Sequence, residues 1–222
     1  RLIRLGLTKY NLPGASPALS PPAGREVVLV PGQVEDDASI LRGAGEIRSN
    51  ADLLRTARRL HPDAYLVYKP HPDVLTGLRA GAVPPGPVAD LADAVVPEAD
   101  TAALLARVDR VVTITSALGF EALLRGVAVT TLGAPFYAGW GLTRDLGPVP
   151  AHRGARPSLA ALAHAALIAY PRYHDPVTGL PCPPEVALDR LATGEGLTQA
   201  PRLRALAKLQ GWLAGHSRLW RR

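Results

Sequence analysis

The sequence predicts an α/β fold built on a Rossmann-like parallel sheet, and three observations carry that reading. Short β-branched runs, "EVVLV" (26–30), "AYLVY" (64–68), "RVVTIT" (110–115) and "VAVTTL" (127–132), with a weaker "DAVV" (93–96), have the apolar continuity of strands buried on both faces. Helical patterns of about 10 to 15 residues fill the gaps, which is the alternation that builds βαβ units. Polar clusters follow the runs directly, and an open parallel sheet keeps its ligand crevice at the carboxyl ends of its strands.

Each element has a local reason. The stretch "NLPGASPALSPPAG" (11–24) is dense in Pro, Gly and Ser and reads as a linker, so residues 1–24 precede a domain spanning 25–170. Ser49 is placed to cap "NADLLRTARRLHP", "ALGFEALLRG" stops at Gly126, and Ser158 is placed to cap "LAALAHAALIAY" before Pro171. Residues 171–222 form a C-terminal extension: the turn-rich "PRYHDPVTGLPCPPEVALDRL", then a basic helix from about Pro201 to the end.

With 222 residues and 47% hydrophobic content the chain has enough apolar material for a core. A net charge of +6 suits a phosphorylated ligand, nucleic acid or an anionic membrane surface. Nucleic acid loses ground because no interleaved aromatics or binding module accompany the charge. The single cysteine, Cys182, excludes an internal disulfide framework and favours a reducing, cytoplasmic setting. The longest apolar run, 159–170, falls short of the roughly 20 residues of a membrane span, and no signal peptide is expected. No GxGxxG or Walker loop is present, nor His/Cys/Asp spacing for zinc, which argues against dinucleotide and metal chemistry.

Three clusters stand where chemistry is expected. "PGQVEDD" places Gln33, Glu35, Asp36 and Asp37 after the first strand; the acids either serve a reaction at a sugar carbon or favour the next helix start. In "KPHP", Lys69 and His71 bracket a rigid proline and precede Pro72, either aimed at an anion or marking a turn. Thr115 and Ser116 offer hydroxyls and N–H donors to a phosphate, or Ser116 is a helix cap alone. Glu121 sits between apolar neighbours and needs a partner, a ribose diol or a nearby arginine. The loop "GAPFYAGWGLTRD" (133–145) either closes over a ligand or is a surface turn anchored by Phe136, Tyr137 and Trp140.

Together, "VPGQVEDDASI", "VYKPHPDV", "TSALGFEALLRGVAVTTLGAPFYAGWGLTRD" and "YPRYHDPVTGLPC" resemble the capsular polysaccharide biosynthesis family, in particular its KpsC-type β-Kdo transferases. The resemblance implies the donor-binding C-terminal lobe of a GT-B glycosyltransferase, with the facing acceptor lobe outside this chain. It implies a retaining, metal-independent enzyme that uses CMP-Kdo to build an oligo-Kdo linker on phosphatidylglycerol for capsule export. The setting it implies is peripheral, at the cytoplasmic face of the inner membrane, with an anionic lipid surface and other capsule assembly proteins as partners and no nucleic acid. By position, Lys69, His71 and Pro72 would hold the CMP phosphate, Thr115 and Ser116 would add contacts, and Glu121 would take the ribose. Asp37, beside Gln33, would be the nucleophile, with Asp36 in reserve. Two other readings stand beside it. One is a non-catalytic scaffold lobe whose basic helix, carrying Trp212, Leu213, Leu219 and Trp220, docks on lipid or on capsule proteins. The other is a sugar-nucleotide epimerase of similar fold.

Overall fold

The computed structural model describes residues 1–9 and 14–196; the basic helix expected from Pro201, with Trp212, Leu213, Leu219 and Trp220, lies outside them. In chain order the first unit contains β1 (Val27–Pro31), α1 (Ala38–Gly43), α2 (Asn50–Leu60), β2 (Tyr65–Lys69), α3 (Pro72–Leu75), α4 (Pro85–Leu91) and β3 (Ala94–Val95). It continues with α5 (Thr101–Leu105), β4 (Arg110–Thr113), α6 (Ala117–Leu124), β5 (Ala128–Thr131), β6 (Arg144–Asp145) and α7 (Leu159–His164). All five β-branched runs are strands. The sheet order is β3-β2-β1-β4-β5-β6 with every pairing parallel. The strand order therefore reverses between β1 and β4, and a doubly wound sheet opens its crevice at such a switch point.

Alternating side chains of the strands feed a core on each face. Leu29, Val67, Val111 and Val129 pack with Leu104, Leu105, Phe120, Leu123 and Tyr137 on one side. Val28, Val30, Leu66, Val112 and Ile114 pack with Ile40, Leu53 and Leu54 on the other. Burying each large side chain contributes about 1.5–3 kcal/mol, so the two faces are the main source of stability. Serine caps start the helices as the sequence predicts: Ser49 accepts from the Asp52 N–H, Ser116 from the Leu118 N–H and Ser158 from the Ala161 N–H. After His164 the helix widens into a π turn, Ala165–Ala169, with the Tyr170 N–H reaching the Ala165 carbonyl before Pro171 ends it.

Two features differ from the sequence expectation. Residues 14–24, read as a linker, are docked: Leu19 is buried, Ala15 bridges Ala99, and Arg107 donates to the carbonyls of Pro17 and Leu19. Proline-rich backbone has few donors of its own, so its carbonyls are open to a neighbouring guanidinium. The edge strand β6 comes from the loop expected to cover a ligand. It lacks a β-branched run and is held by pairing with β5 and by the Thr131 hydroxyl donating to Asp145 (2.9 Å).

The chain divides into two compact units, Arg1–Pro171 and Arg172–Arg222. The described part of the second has an antiparallel pair, β7 (Tyr173–His174) and β8 (Pro181–Cys182), followed by α8 (Pro184–Thr193), which ends on Gly194 at φ +72°. Arg190 donates to Asp175 at 2.9 Å, and those bonds, with the Val177 N–H, hold the Asp175 carboxyl down at about 2. No helix among the described residues is long and apolar enough to cross a membrane.

Candidate active site

At the switch point the mouths of β1 and β4 are tied together by one side chain. The Gln33 side-chain Oε1 accepts from the Thr113 hydroxyl (3.0 Å) and from the N–H groups of Ile114 and Thr115 (3.1 Å each), while its Nε2 donates to the Thr115 hydroxyl (2.9 Å). Gln33 is buried and its oxygen is committed to the protein, so it positions Thr115 and the exit of β4. The resemblance makes Gln33 a residue beside the nucleophile; the structure puts its amide under the site floor. Thr115 is likewise buried and bonded inward through both its hydroxyl and its N–H. Asn50, which sequence reasoning passed over, completes the bracket. Its side chain accepts from the Gln33 N–H (2.8 Å) and donates to the carbonyls of Gln33 (2.7 Å) and Gly81 (2.8 Å). Gly32 has to be glycine, because a Cβ there would stand 2.8 Å from the Tyr68 hydroxyl and 3.2 Å from the His71 nitrogen.

On this floor stands an acidic rim in which each acid has its own task. Glu35 accepts from the Asn50 N–H at the start of α2 (2.7 Å). Asp36 is exposed and pairs with Arg79 (3.0 Å). Asp37 is the N-cap of α1, with Oδ2 accepting from the Ser39 hydroxyl (2.6 Å) and N–H (3.3 Å). Those bonds, the serine hydroxyl first, hold the Asp37 carboxyl below the usual aspartate range, so it is an anion at neutral pH. The helix-start role foreseen for the acids is thus real, and for Asp37 it coexists with solvent access.

Beside it, the exit of β2 presents "KPHP". His71 caps α3, with Nδ1 accepting from the Asp73 N–H (3.2 Å), and Pro72 occupies the first helical position, where no N–H is needed. Burial pushes the imidazole below its ordinary value, against the opposing pull of Asp73 and Asp37. The neutral ring with Nδ1 as acceptor carries its proton on Nε2, making that atom a donor. Lys69 is also engaged within the protein. Its ammonium donates to the carbonyls of Ala99 (2.8 Å) and Pro97 (3.4 Å), and burial lowers its pKa, so the lysine clasps the loop after β3.

The exit of β4 supplies the third wall. The Ser116 N–H donates to the Thr113 hydroxyl (3.2 Å), its own hydroxyl caps α6, and its carbonyl accepts from the Tyr137 hydroxyl (2.5 Å). Glu121, one turn further, is largely buried, and burial raises its pKa. Its carboxylate accepts from the backbone N–H of Lys9, while Arg125 spans the Glu121 and Leu7 carbonyls. The partner sought for Glu121 is therefore the N-terminal segment, with Arg125 nearby. Lys9 also adds positive field at His71, so it belongs to this rim. No sequence signal could have found it, because 112 residues separate it from Glu121. Among the described residues no group of three or more His, Cys, Asp or Glu is arranged to hold a metal ion.

The same arrangement of motifs occurs in known proteins. Residues 9–173 match the family model described as capsule polysaccharide biosynthesis protein. The chain is 50% identical over 172 residues to the capsule polysaccharide modification protein LipA of Neisseria meningitidis, covering 78% of this chain and 24% of that protein. It is 49% identical over 169 residues to the lipopolysaccharide-processing protein LpsZ of Rhizobium meliloti, covering 76% and 38%. Among solved structures it superposes on the Thermosulfurimonas dismutans KpsC β-Kdo 2,4 transferase with TM-score 0.75 at 32% identity, covering 86% of this chain and 59% of that one. The β-Kdo 2,7 transferase of the same KpsC gives TM-score 0.69 at 39% identity, covering 78% and 55%. The chain thus spans a quarter to three fifths of the lengths of these relatives. With the family model covering most of its length and the solved relatives sharing its sheet, this chain belongs to the capsule polysaccharide biosynthesis protein family.

Proposed function

We propose that this chain is the donor-binding lobe of a retaining β-Kdo transferase that uses CMP-Kdo and works, together with a facing acceptor lobe, on the oligo-Kdo linker of a phosphatidylglycerol-anchored capsule precursor. The observation that carries the reading is that Asp37, held as an anion, and His71, whose Nδ1 accepts from the Asp73 N–H, stand at adjacent strand exits within electrostatic range of each other. Asp37 attacks C2 of the Kdo unit, and the bond from C2 to the phosphate oxygen breaks with its electron pair leaving on CMP. An acceptor hydroxyl then attacks C2, loses its proton and releases the carboxylate; two inversions retain the configuration. His71 Nε2–H and the α6 terminus at Ser116 donate to the departing phosphate, where charge grows in the transition state. Glu121 takes the ribose diol after exchanging the Lys9 N–H for it. Gln33 and Thr115 hold the floor, Asp36 is the reserve carboxylate, and Lys69 keeps the β3 loop in place. The reaction needs no metal in this scheme, because protein donors meet the phosphate charge. The work is done at the cytoplasmic face of the inner membrane, in company with other capsule assembly proteins.

Mass spectrometry of the chain joined to its acceptor lobe and incubated with CMP-Kdo tests the scheme. A Kdo-sized adduct on the peptide containing Asp37, absent in Asp37→Asn, is expected. Turnover by Asp37→Asn within tenfold of the parent removes Asp37 from the reaction.

A further inference from the structure

Outside the donor crevice, the loop around β6 forms an open groove of about 710 Å³, lined by Gly139, Gly141, Asp145, Gly147, Arg153 and Arg156 among others. Two of its glycines are packed closely by neighbouring side chains. Gly139 and Gly141 sit at φ +85° and +78°, and a Cβ would come within 2.2 Å of Val149 at the first and 2.7 Å of Arg156 at the second. The shape therefore depends on glycine, which lets the Val149, Arg153 and Arg156 side chains pack directly on the turn.

The groove is also positively charged in a fixed way. The Arg153 guanidinium donates to the carbonyls of Pro135 (2.5 Å) and Ala138 (3.0 Å) and lies 5.8 Å over the Trp140 ring. Arg156 donates to the carbonyls of Gly139 (3.3 Å) and Ala155 (3.4 Å). Carbonyls position a guanidinium without cancelling its charge, and among the described residues neither arginine forms an ion pair with a carboxylate. The one acid in the lining, Asp145, already accepts from the Thr131 and Thr143 hydroxyls on one oxygen and from the Gly139 N–H on the other. Two guanidinium groups without anionic partners among the described residues, set in an open groove with room for a sugar acid, suit a carboxylate borne on a polyol. The groove is also coupled to the donor side, since Tyr137, which bonds the Ser116 carbonyl, lies between the two carbonyls that hold Arg153.

We propose that this groove binds the carboxylate of the acceptor sugar acid, with Arg156 as its adaptable contact and Arg153 as its fixed one. The assignment rests on the Kdo-transfer reading, in which the growing end presents a carboxylated sugar to the donor. Calorimetry on the full chain tests it, with free Kdo as the probe, titrated alone and with CMP added, and carboxyl-reduced Kdo and glycerol 1-phosphate as controls. R156A is expected to bind Kdo at least tenfold more weakly, R156K to be intermediate, the reduced sugar to give no heat, and CMP affinity to stay within twofold. Absent Kdo binding, equal Kdo affinity in R156A, a loss of CMP affinity in R156A, or Arg156-dependent binding of glycerol 1-phosphate in place of Kdo would each overturn the assignment. The two readings fail separately. A chain that takes Kdo through Arg156 but ignores CMP upholds the groove and sinks the donor site, whereas CMP binding without Arg156-dependent Kdo binding does the reverse.

Discussion

At the amino edge of the sheet, Glu26 joins Arg110 at 2.8 Å and His61 at 3.0 Å, Asp93 joins Arg58, and Asp109 accepts from the Val27 N–H. At the carboxyl edge, Asp37, His71, Lys69, Glu121 and Arg153 bond to main chain or to a serine hydroxyl instead. Glu26 and Asp93 are neutralised by paired cations, and Asp93 and Asp109 also accept strand N–H groups, which closes the ends of the strands. Main-chain and hydroxyl partners fix a group in position without bringing a charge that neutralises it. The exposed Asp36–Arg79 pair at 3.0 Å and the approach of His71 to Asp73 at 3.9 Å are ionic contacts on this edge, and the first leaves Asp36 less available than Asp37. The difference teaches that ionisable residues at the two edges are used differently: paired with one another at the amino edge, and held mostly by main chain and hydroxyls at the carboxyl edge.

Breaking the floor of the carboxyl edge should have the largest effect on folding. Gln33→Leu leaves the Thr113 hydroxyl and two backbone N–H groups without their acceptor in a buried place, at about 1–3 kcal/mol for each unsatisfied group. A loss of roughly 3 kcal/mol or more in urea denaturation is expected, and a loss below 1 kcal/mol would show that water replaces the amide. The amino edge should give a smaller, pH-dependent effect. The Glu26 carboxyl lies below its usual value because bonds and charge from Arg110 and His61 outweigh its burial. Its contribution is therefore present above the unfolded carboxyl pKa and lost as pH falls through the folded one. Denaturation between pH 6 and pH 3 should show the parent losing on the order of 0.5–1 kcal/mol more than Glu26→Gln, a magnitude limited by partial exposure. The smallest effect should come from Asp37→Asn, because Asn caps a helix as well as Asp. Stability within about 0.5 kcal/mol of the parent is expected, beside the lost adduct; unfolding of this variant would mean that Asp37 serves the fold before the reaction.

Much of the framework was legible in local sequence. The β-branched runs at 26–30, 64–68, 110–115 and 127–132 became strands, and Ser49, Ser116 and Ser158 cap the helices that follow them. These signals survive because burial on both faces and an unsatisfied helix terminus are requirements that a short window states completely. The two-residue β6 and the docking of residues 14–24 were not legible, since each depends on partners far along the chain. The internal bonds of Lys69 and Gln33 were not legible for the same reason: only the folded chain brings the Ala99 carbonyl and the Thr115 hydroxyl to them.

Sequence alone determined the parallel sheet, its caps and the set of polar residues delivered to strand exits, because apolar periodicity and the alternation of strand and helix are local properties. Tertiary structure alone decided which of those residues keep their charge toward solvent and which are consumed beneath the surface. A hydrogen bond between Gln33 and Thr115, or between Lys9 and Glu121, joins positions 82 and 112 residues apart, and no local pattern encodes a separation that only the winding of the sheet brings to about 3 Å.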